Sequence, residues 1–310
     1  MKIVFMGTPD FAAVSLEALI AAGHEITAVV TQPDKAKGRS REPVPTPVKV
    51  CAAAHGIPVM QPRRIRAAEA VQALKAYEAD VYVVAAFGQI PSQEVLDIPP
   101  RGCLNIHASL LPKYRGTSPI QYALLKGEER TGITIMQMDA GIDTGDMLYK
   151  KEIVIDSRDN YETLHDRLAK LGGEAITEAL TLLTQDKLTP EKQREELSCY
   201  APLIDKEMGE IDFDADAGEI DRKIRAMTPW PSAYTRYHGK QLKIWRAEPA
   251  AEEESGSPGV ILRTDRDSVT VAAGSGALRI YELQLEGKKR MSARDFLLGV
   301  RMQPGERLGV

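Results

Sequence analysis

Up to about Leu183 the chain alternates between two hydrophobic patterns. Short, nearly unbroken apolar runs fall at residues 2–6, 25–31, 58–60, 81–87, 103–108, 132–138 and 147–155, as expected of strands covered on both faces. Between them, apolar positions recur at helical spacing over residues 12–22, 47–55, 67–77, 119–126 and 160–183. Strands that alternate with helices predict an α/β domain, a Rossmann-like and mainly parallel sheet with helices on both faces. Beyond Thr184 the pattern stops. Residues 185–205 are polar, contain Pro190 and Pro202, and read as a linker. A helix at 217–227 follows, and then short alternating runs at 233–237, 241–246, 259–263, 268–272 and 278–285. This spacing predicts a small antiparallel barrel. The expected division is therefore 1–184, linker 185–205, and 206–310.

With 310 residues the chain has room for two cores. Three cysteines, Cys51, Cys103 and Cys199, are too few and too scattered for a disulfide framework or a zinc site, and they favour a reducing compartment. The first residues lack the apolar core of a signal peptide, and no apolar run is long enough to cross a membrane. A cytoplasmic, monomeric protein with no metal is expected. The first turn, Gly7-Thr-Pro, lacks the spaced glycines of a dinucleotide site. A net charge of −4 argues against a surface that grips nucleic acid everywhere, so any RNA contact is local. One basic cluster, Lys35, Lys37, Arg39 and Arg41, lies in an unusually long connection, residues 33–47. A second, Lys288, Lys289, Arg290 and Arg294, lies near the C-terminus.

Candidate chemistry concentrates in two adjoining segments. Asn105 and His107 are two apart on one expected strand and so share a face. Asp143 lies between Gly141 and Gly145 in the loop after the next expected strand, and two neighbouring strand ends would bring it to His107. An amide, an imidazole and a carboxylate suit acyl transfer to an incoming amine. The amine is the nucleophile, so the protein needs to supply only oxyanion donors and a proton relay.

The strings HASLLPKYRGTSPI (107–120) and GITIMQMDAGIDTGDM (132–147) closely resemble the signature of the folate-dependent formyltransferases. The likeness extends to MKIVFMGTPDFAAVSLEAL at the front, TQPDKAKGR in the first loop, VVAAFGQI in the central strand and AMTPWPSAYTRYHGKQLKIWRA near the start of the second domain. The resemblance implies transfer of the formyl group of 10-formyltetrahydrofolate to the α-amino group of methionine on initiator tRNA. It implies Asn105, His107 and Asp143 as the catalytic set. It also implies a folate-contacting segment at Ser109, Leu110, Leu111 and Pro112, and a folate-side loop at Phe87, Gly88, Gln89 and Ile90. The basic loop would face the tRNA acceptor end, and the C-terminal domain would be an OB-like β-barrel that helps hold tRNA. Trp230 and Trp245 are expected to pack in its core.

Two positions depart from the family pattern. Pro91 stands one place early after Gly88-Gln-Ile and removes an amide donor from the folate-side loop. Leu203 stands where the family commonly has lysine. Relatives acting on a nucleotide-linked amino sugar share the trio but not the GTPDFA opening with its basic loop. A binding module without catalysis is the other alternative, although it gives no reason to keep a base beside an oxyanion donor.

Overall fold

A computed structural model of the chain describes residues 1–36, 42–250 and 256–309. They form two compact units: residues 1–119, 130–154 and 165–201, and residues 120–129, 155–164 and 202–310. Among the described residues no helix is long and apolar enough to cross a membrane.

The first unit contains β1 (Lys2–Gly7), β2 (Glu25–Val30), β3 (Lys35–Ala36), β4 (Pro43–Val44), β5 (Val59–Met60), β6 (Val81–Ala85), β7 (Cys103–His107), β8 (Arg130–Gln137) and β9 (Met147–Val154). Seven of these make one sheet in the order β5-β2-β1-β6-β7-β8-β9, while β3 and β4 form a separate ribbon. From β5 to β7 every pairing is parallel. Residues Ile3 to Met6 of β1 and all of β6 are buried, as a sheet covered on both faces requires. The helices between these strands are α1 (Asp10–Ala21), α2 (Pro47–Ala54), α3 (Ala68–Lys75) and α4 (Gln93–Leu96). Thr46 caps α2 by accepting the Lys49 amide, with Pro47 at the first helical position. Two further helices are α5 (Pro119–Leu125) and α6 (Tyr161–Thr184).

Strand order reverses at β1, which pairs with β2 on one side and β6 on the other. Ligands of open α/β sheets bind at such a reversal, beyond the carboxyl ends of the strands. Gly7 is paired with Ala85, and Val84 with Asn105, so the ends of β1, β6 and β7 lie side by side.

One expectation is corrected at β8. It runs antiparallel to β7, with Leu104 opposite Gln137 and His107 opposite Thr134. The carboxyl end of β8 therefore lies at the far end of β7 from His107, and strand ends alone do not bring Asp143 to His107. Instead the loop after β8, residues 138–146, folds back. An apolar run gives the same pattern in either direction, so periodicity is blind to this reversal.

The 185–205 stretch is also not a linker over its first part, because residues 185–201 belong to the first unit. Glu191 and Met147 exchange two backbone hydrogen bonds of 2.8 Å. The Arg115 amide donates to the Cys199 carbonyl at 2.9 Å, and the Ala201 amide donates to the Arg115 carbonyl at 2.7 Å. A strap held by hydrogen bonds needs no hydrophobic period.

In the second unit, α7 (Ala217–Met227) precedes β10 (Ala233–Tyr237), β11 (Lys240–Pro249), β12 (Ile261–Thr264), β13 (Val269–Ala272), β14 (Ala277–Leu285) and β15 (Met291–Ser292), and α8 (Ala293–Gly299) follows. The strands pair antiparallel in the order β10-β11-β14-β13-β12, with β15 on β14. Ile220 and Ile224 of α7 and Phe296 of α8 join Leu242, Ile244, Val271 and Leu283 in one core. The two tryptophans are not in it. Trp230 is 51% exposed. Trp245 is half-buried, with the Arg290 guanidinium 4.7 Å and the Lys243 ammonium 5.8 Å from its ring centroid. A ring that stacks with cations covers its faces without entering the apolar interior.

Candidate active site

β7 carries Asn105 half-buried and His107 buried. The ring Nε2 of His107 lies 2.9 Å from the Tyr114 carbonyl oxygen. A carbonyl can only accept, so Nε2 carries the hydrogen. Nδ1 then faces Oδ2 of Asp143 at 3.6 Å. The other carboxylate oxygen, Oδ1, accepts from Asn105 Nδ2 at 3.4 Å. One carboxylate thus reaches both polar side chains of the strand, so the trio read from the sequence is assembled here. A second proton at Nδ1 would give a ring that donates to Tyr114 on one side and to a negative charge on the other.

Asp143 is held from several directions. Its Oδ2 accepts the Gly116 amide at 2.8 Å. Its backbone is left-handed, with φ of 54°. Gly145 lets the loop double back, because a Cβ there would collide with the Gln137 carbonyl oxygen. Two residues of this support escaped the sequence reading: Gln193 in the strap and the buried Arg115. Gln193 Nε2 donates to the carbonyl oxygens of Asp143 and Gly145, both at 2.8 Å. Gln193 Oε1 accepts from Arg115 Nε at 2.9 Å. Arg115 lies inside the HASLLPKYRG string, but nothing in the sequence marks Gln193.

The expected folate residues divide by exposure. Phe87 is buried in the core below the sheet ends, and its carbonyl oxygen accepts from Thr8 Oγ1 at 2.9 Å and Gln32 Nε2 at 3.2 Å. Gln89 turns its side chain to Ile65 and Pro62 at 2.6 and 3.1 Å. Ser109 is buried and donates to the Lys113 carbonyl at 2.6 Å, and Leu111 packs on Met136 and Met147. Leu110 and Pro112 are half-buried, while Ala86, Gly88 and Ile90 are exposed. What this loop offers a flat ligand is chiefly backbone and the Ile90 side chain. Of the basic cluster, Lys35 is exposed on β3. Lys37, Arg39 and Arg41 lie outside the described residues. A cleft of about 560 Å³ between Met60 and Ala73 contains none of the trio.

Two of the three cysteines, Cys51 and Cys103, are buried. Burial pushes the Cys103 thiol up to about 12. Burial, and then the hydrogen bond to Glu17, push Cys51 up to about 12 as well. Among the described residues Glu17, Cys51 and His55 place one potential ligand atom each within 4.8 Å of one another. The Glu17 carboxylate already takes the Cys51 thiol at 3.2 Å and the His55 ring at 3.1 Å.

Both parts of the chain match known proteins. The formyl transferase family model matches residues 1–180, and the model of the formyl transferase C-terminal domain matches residues 203–301. A methionyl-tRNA formyltransferase of Geobacter metallireducens is 53% identical over 309 residues, covering 100% of this chain and 99% of that protein. Among solved structures, HypX of Aquifex aeolicus in complex with tetrahydrofolic acid superposes with a TM-score of 0.65 at 20% identity, covering 98% of this chain and 49% of the longer one. The N-formyltransferase of Helicobacter canadensis, in complex with folinic acid and dTDP-3-aminofucose, gives a TM-score of 0.67 at 19% identity, covering 94% of this chain and 100% of that one. At these identities the two structures speak for the fold alone. Matched over both of its parts, this chain belongs to the formyl transferase family.

Proposed function

We propose that this protein is a methionyl-tRNA formyltransferase, which moves the formyl group of 10-formyltetrahydrofolate onto the α-amino group of methionyl initiator tRNA. The observation that carries the chemistry is the single Asp143 carboxylate bonded to Asn105 and facing Nδ1 of His107. The substrate assignment rests on relatives such as the Geobacter metallireducens enzyme, similar over its whole length.

Each residue has a distinct task. The formyl donor supplies an activated acyl carbon. Asn105 has two N–H donors, so the bond to Asp143 leaves one for the oxygen of that acyl group as negative charge develops on it. His107 takes the proton that the attacking amine must lose and passes one to the departing nitrogen. Asp143 holds the ring in place and balances its charge while it is cationic. An α-amine has a pKa of about 8 and an ester neighbour lowers it, so a useful fraction is neutral at pH 7. Proximity supplies much of the remaining rate.

The exposed loop of Gly88 and Ile90 after β6, and Leu110 and Pro112 in the turn after the neighbouring β7, offer backbone and apolar surface that suit a pterin. The basic loop from Lys35 to Arg41 would take the acceptor end of the tRNA. We assign catalysis to the first unit, which carries Asn105, His107 and Asp143, and tRNA binding to the second, in a cytoplasmic monomer. Incubation with 10-formyltetrahydrofolate and labelled Met-tRNA, with an amino-sugar nucleotide in parallel, tests this reading. N-formylmethionine should be released from the tRNA arm alone. Formyl on the sugar, or on neither, would overturn it.

A further inference from the structure

We infer that Gln193 is a positioning residue for formyl transfer: its carboxamide, fixed by buried Arg115, holds Asp143 in reach of Asn105 and His107. This rests on the formyl-transfer reading above. The loop that carries Asp143 returns across β7 without strand pairing of its own, and a residue with a Cβ rarely adopts the left-handed backbone found at position 143. Such a conformation persists only where its surroundings fix it. Gln193 does so from outside the loop, with both N–H bonds given to loop carbonyls, those of Asp143 and Gly145.

The orientation of that carboxamide is not free. Arg115 Nε can only donate, so the atom facing it must be Oε1, and the NH2 group then points at the two carbonyls. Arg115 is 2% exposed and also binds Glu195 through Nη1 at 2.8 and 3.1 Å. A guanidinium taken out of water is costly unless its donors are satisfied, so the strap that satisfies them is held down. Glu191, two residues before Gln193, is zipped to Met147, where the loop ends. The strap therefore sets the distance between Asp143 and β7 while lying outside the reacting atoms.

Two isosteric substitutions in the full chain test this. Gln193→Met removes every hydrogen bond. Gln193→Glu keeps an acceptor for Arg115 and loses both donors. Both should lower kcat roughly 10²-fold, as expected for a misplaced catalytic group, with KM for folate and for Met-tRNA unchanged, and Gln193→Met, which leaves Arg115 Nε without its acceptor, should also lower the melting temperature. In an Asp143→Asn background Gln193→Met should cost nothing further, since Gln193 acts through that carboxylate. Wild-type turnover in Gln193→Glu, or losses that multiply with Asp143→Asn, would overturn the inference. Amide hydrogen exchange over residues 138–146 gives a readout independent of the reaction. It should speed up in Gln193→Met, and unchanged exchange would overturn the inference even if wild-type protein proved inactive on Met-tRNA, a result that by itself sinks only the functional reading.

Discussion

Nδ1 of His107 faces Oδ2 of Asp143 at 3.6 Å, while the opposite ring nitrogen is occupied by the Tyr114 carbonyl at 2.9 Å. Only one ring atom is therefore available for proton traffic, and a fixed negative charge watches over it. Asp143→Asn keeps an acceptor for the Gly116 amide but carries no charge. Turnover should fall about 10²- to 10⁴-fold, the usual worth of positioned acid–base catalysis, with substrate KM values and circular dichroism unchanged. A variant within a factor of two of wild type would remove Asp143 from the mechanism.

Asn105→Ala should cost roughly 10²–10³ in kcat, about 3–4 kcal/mol, as the loss of one oxyanion donor does. Asn105 is only half-buried on its strand, so the fold should survive the change. Single-turnover rates with prebound substrates isolate the step, and an unchanged rate would exclude the donor role.

Arg39→Ala should weaken the use of tRNA and leave folate binding alone. A lost phosphate contact also flattens the salt dependence, lowering the slope of log affinity against log salt by about one. Identical kinetics across a series of salt concentrations would count against a tRNA contact at this loop.

The root of that loop offers a pH test. Lys49 Nζ lies 2.6 Å from Asp34 Oδ2, and Gln61 Nε2 lies 2.6 Å from Oδ1. The hydrogen bond from Lys49, and then that from Gln61, hold the Asp34 carboxyl below the usual carboxylate range. A depressed carboxylate stabilises the fold above its unfolded value of about 3.9, and that contribution is lost as pH falls through the lower folded value. Lys49→Met should move the Asp34 titration upward, followed by carboxyl carbon NMR between about pH 2 and 6. A midpoint that stays put would show that Lys49 is not the cause.

Much of this architecture was legible in the chain. β7 and its same-face pair of polar residues follow from alternation, and β10 lies at the expected 233–237. The grouping of Asn105, His107 and Asp143 was readable because two of them are two apart on one strand and the third lies in a glycine-flanked loop. What escaped has a common physical character. The antiparallel turn of β8 and the strap through Gln193 are fixed by hydrogen bonds and pairing partners distant in sequence, and these leave no period behind, while β15 and α8 are too short to show one. Trp245 was misjudged for a related reason: cationic neighbours on other strands, Arg290 among them, decide whether an indole is enclosed or stacked.

Neither compact unit is a single stretch of chain, since residues 120–129 and 155–164 belong with 202–310. A ribosome that has released the first 201 residues has delivered all of the first unit but only two fragments of the second. Those fragments must wait for more than a hundred later residues before they can settle. Late synthesis is thus when this enzyme is most exposed to misassembly, and cutting the gene after the strap would strand both fragments without partners.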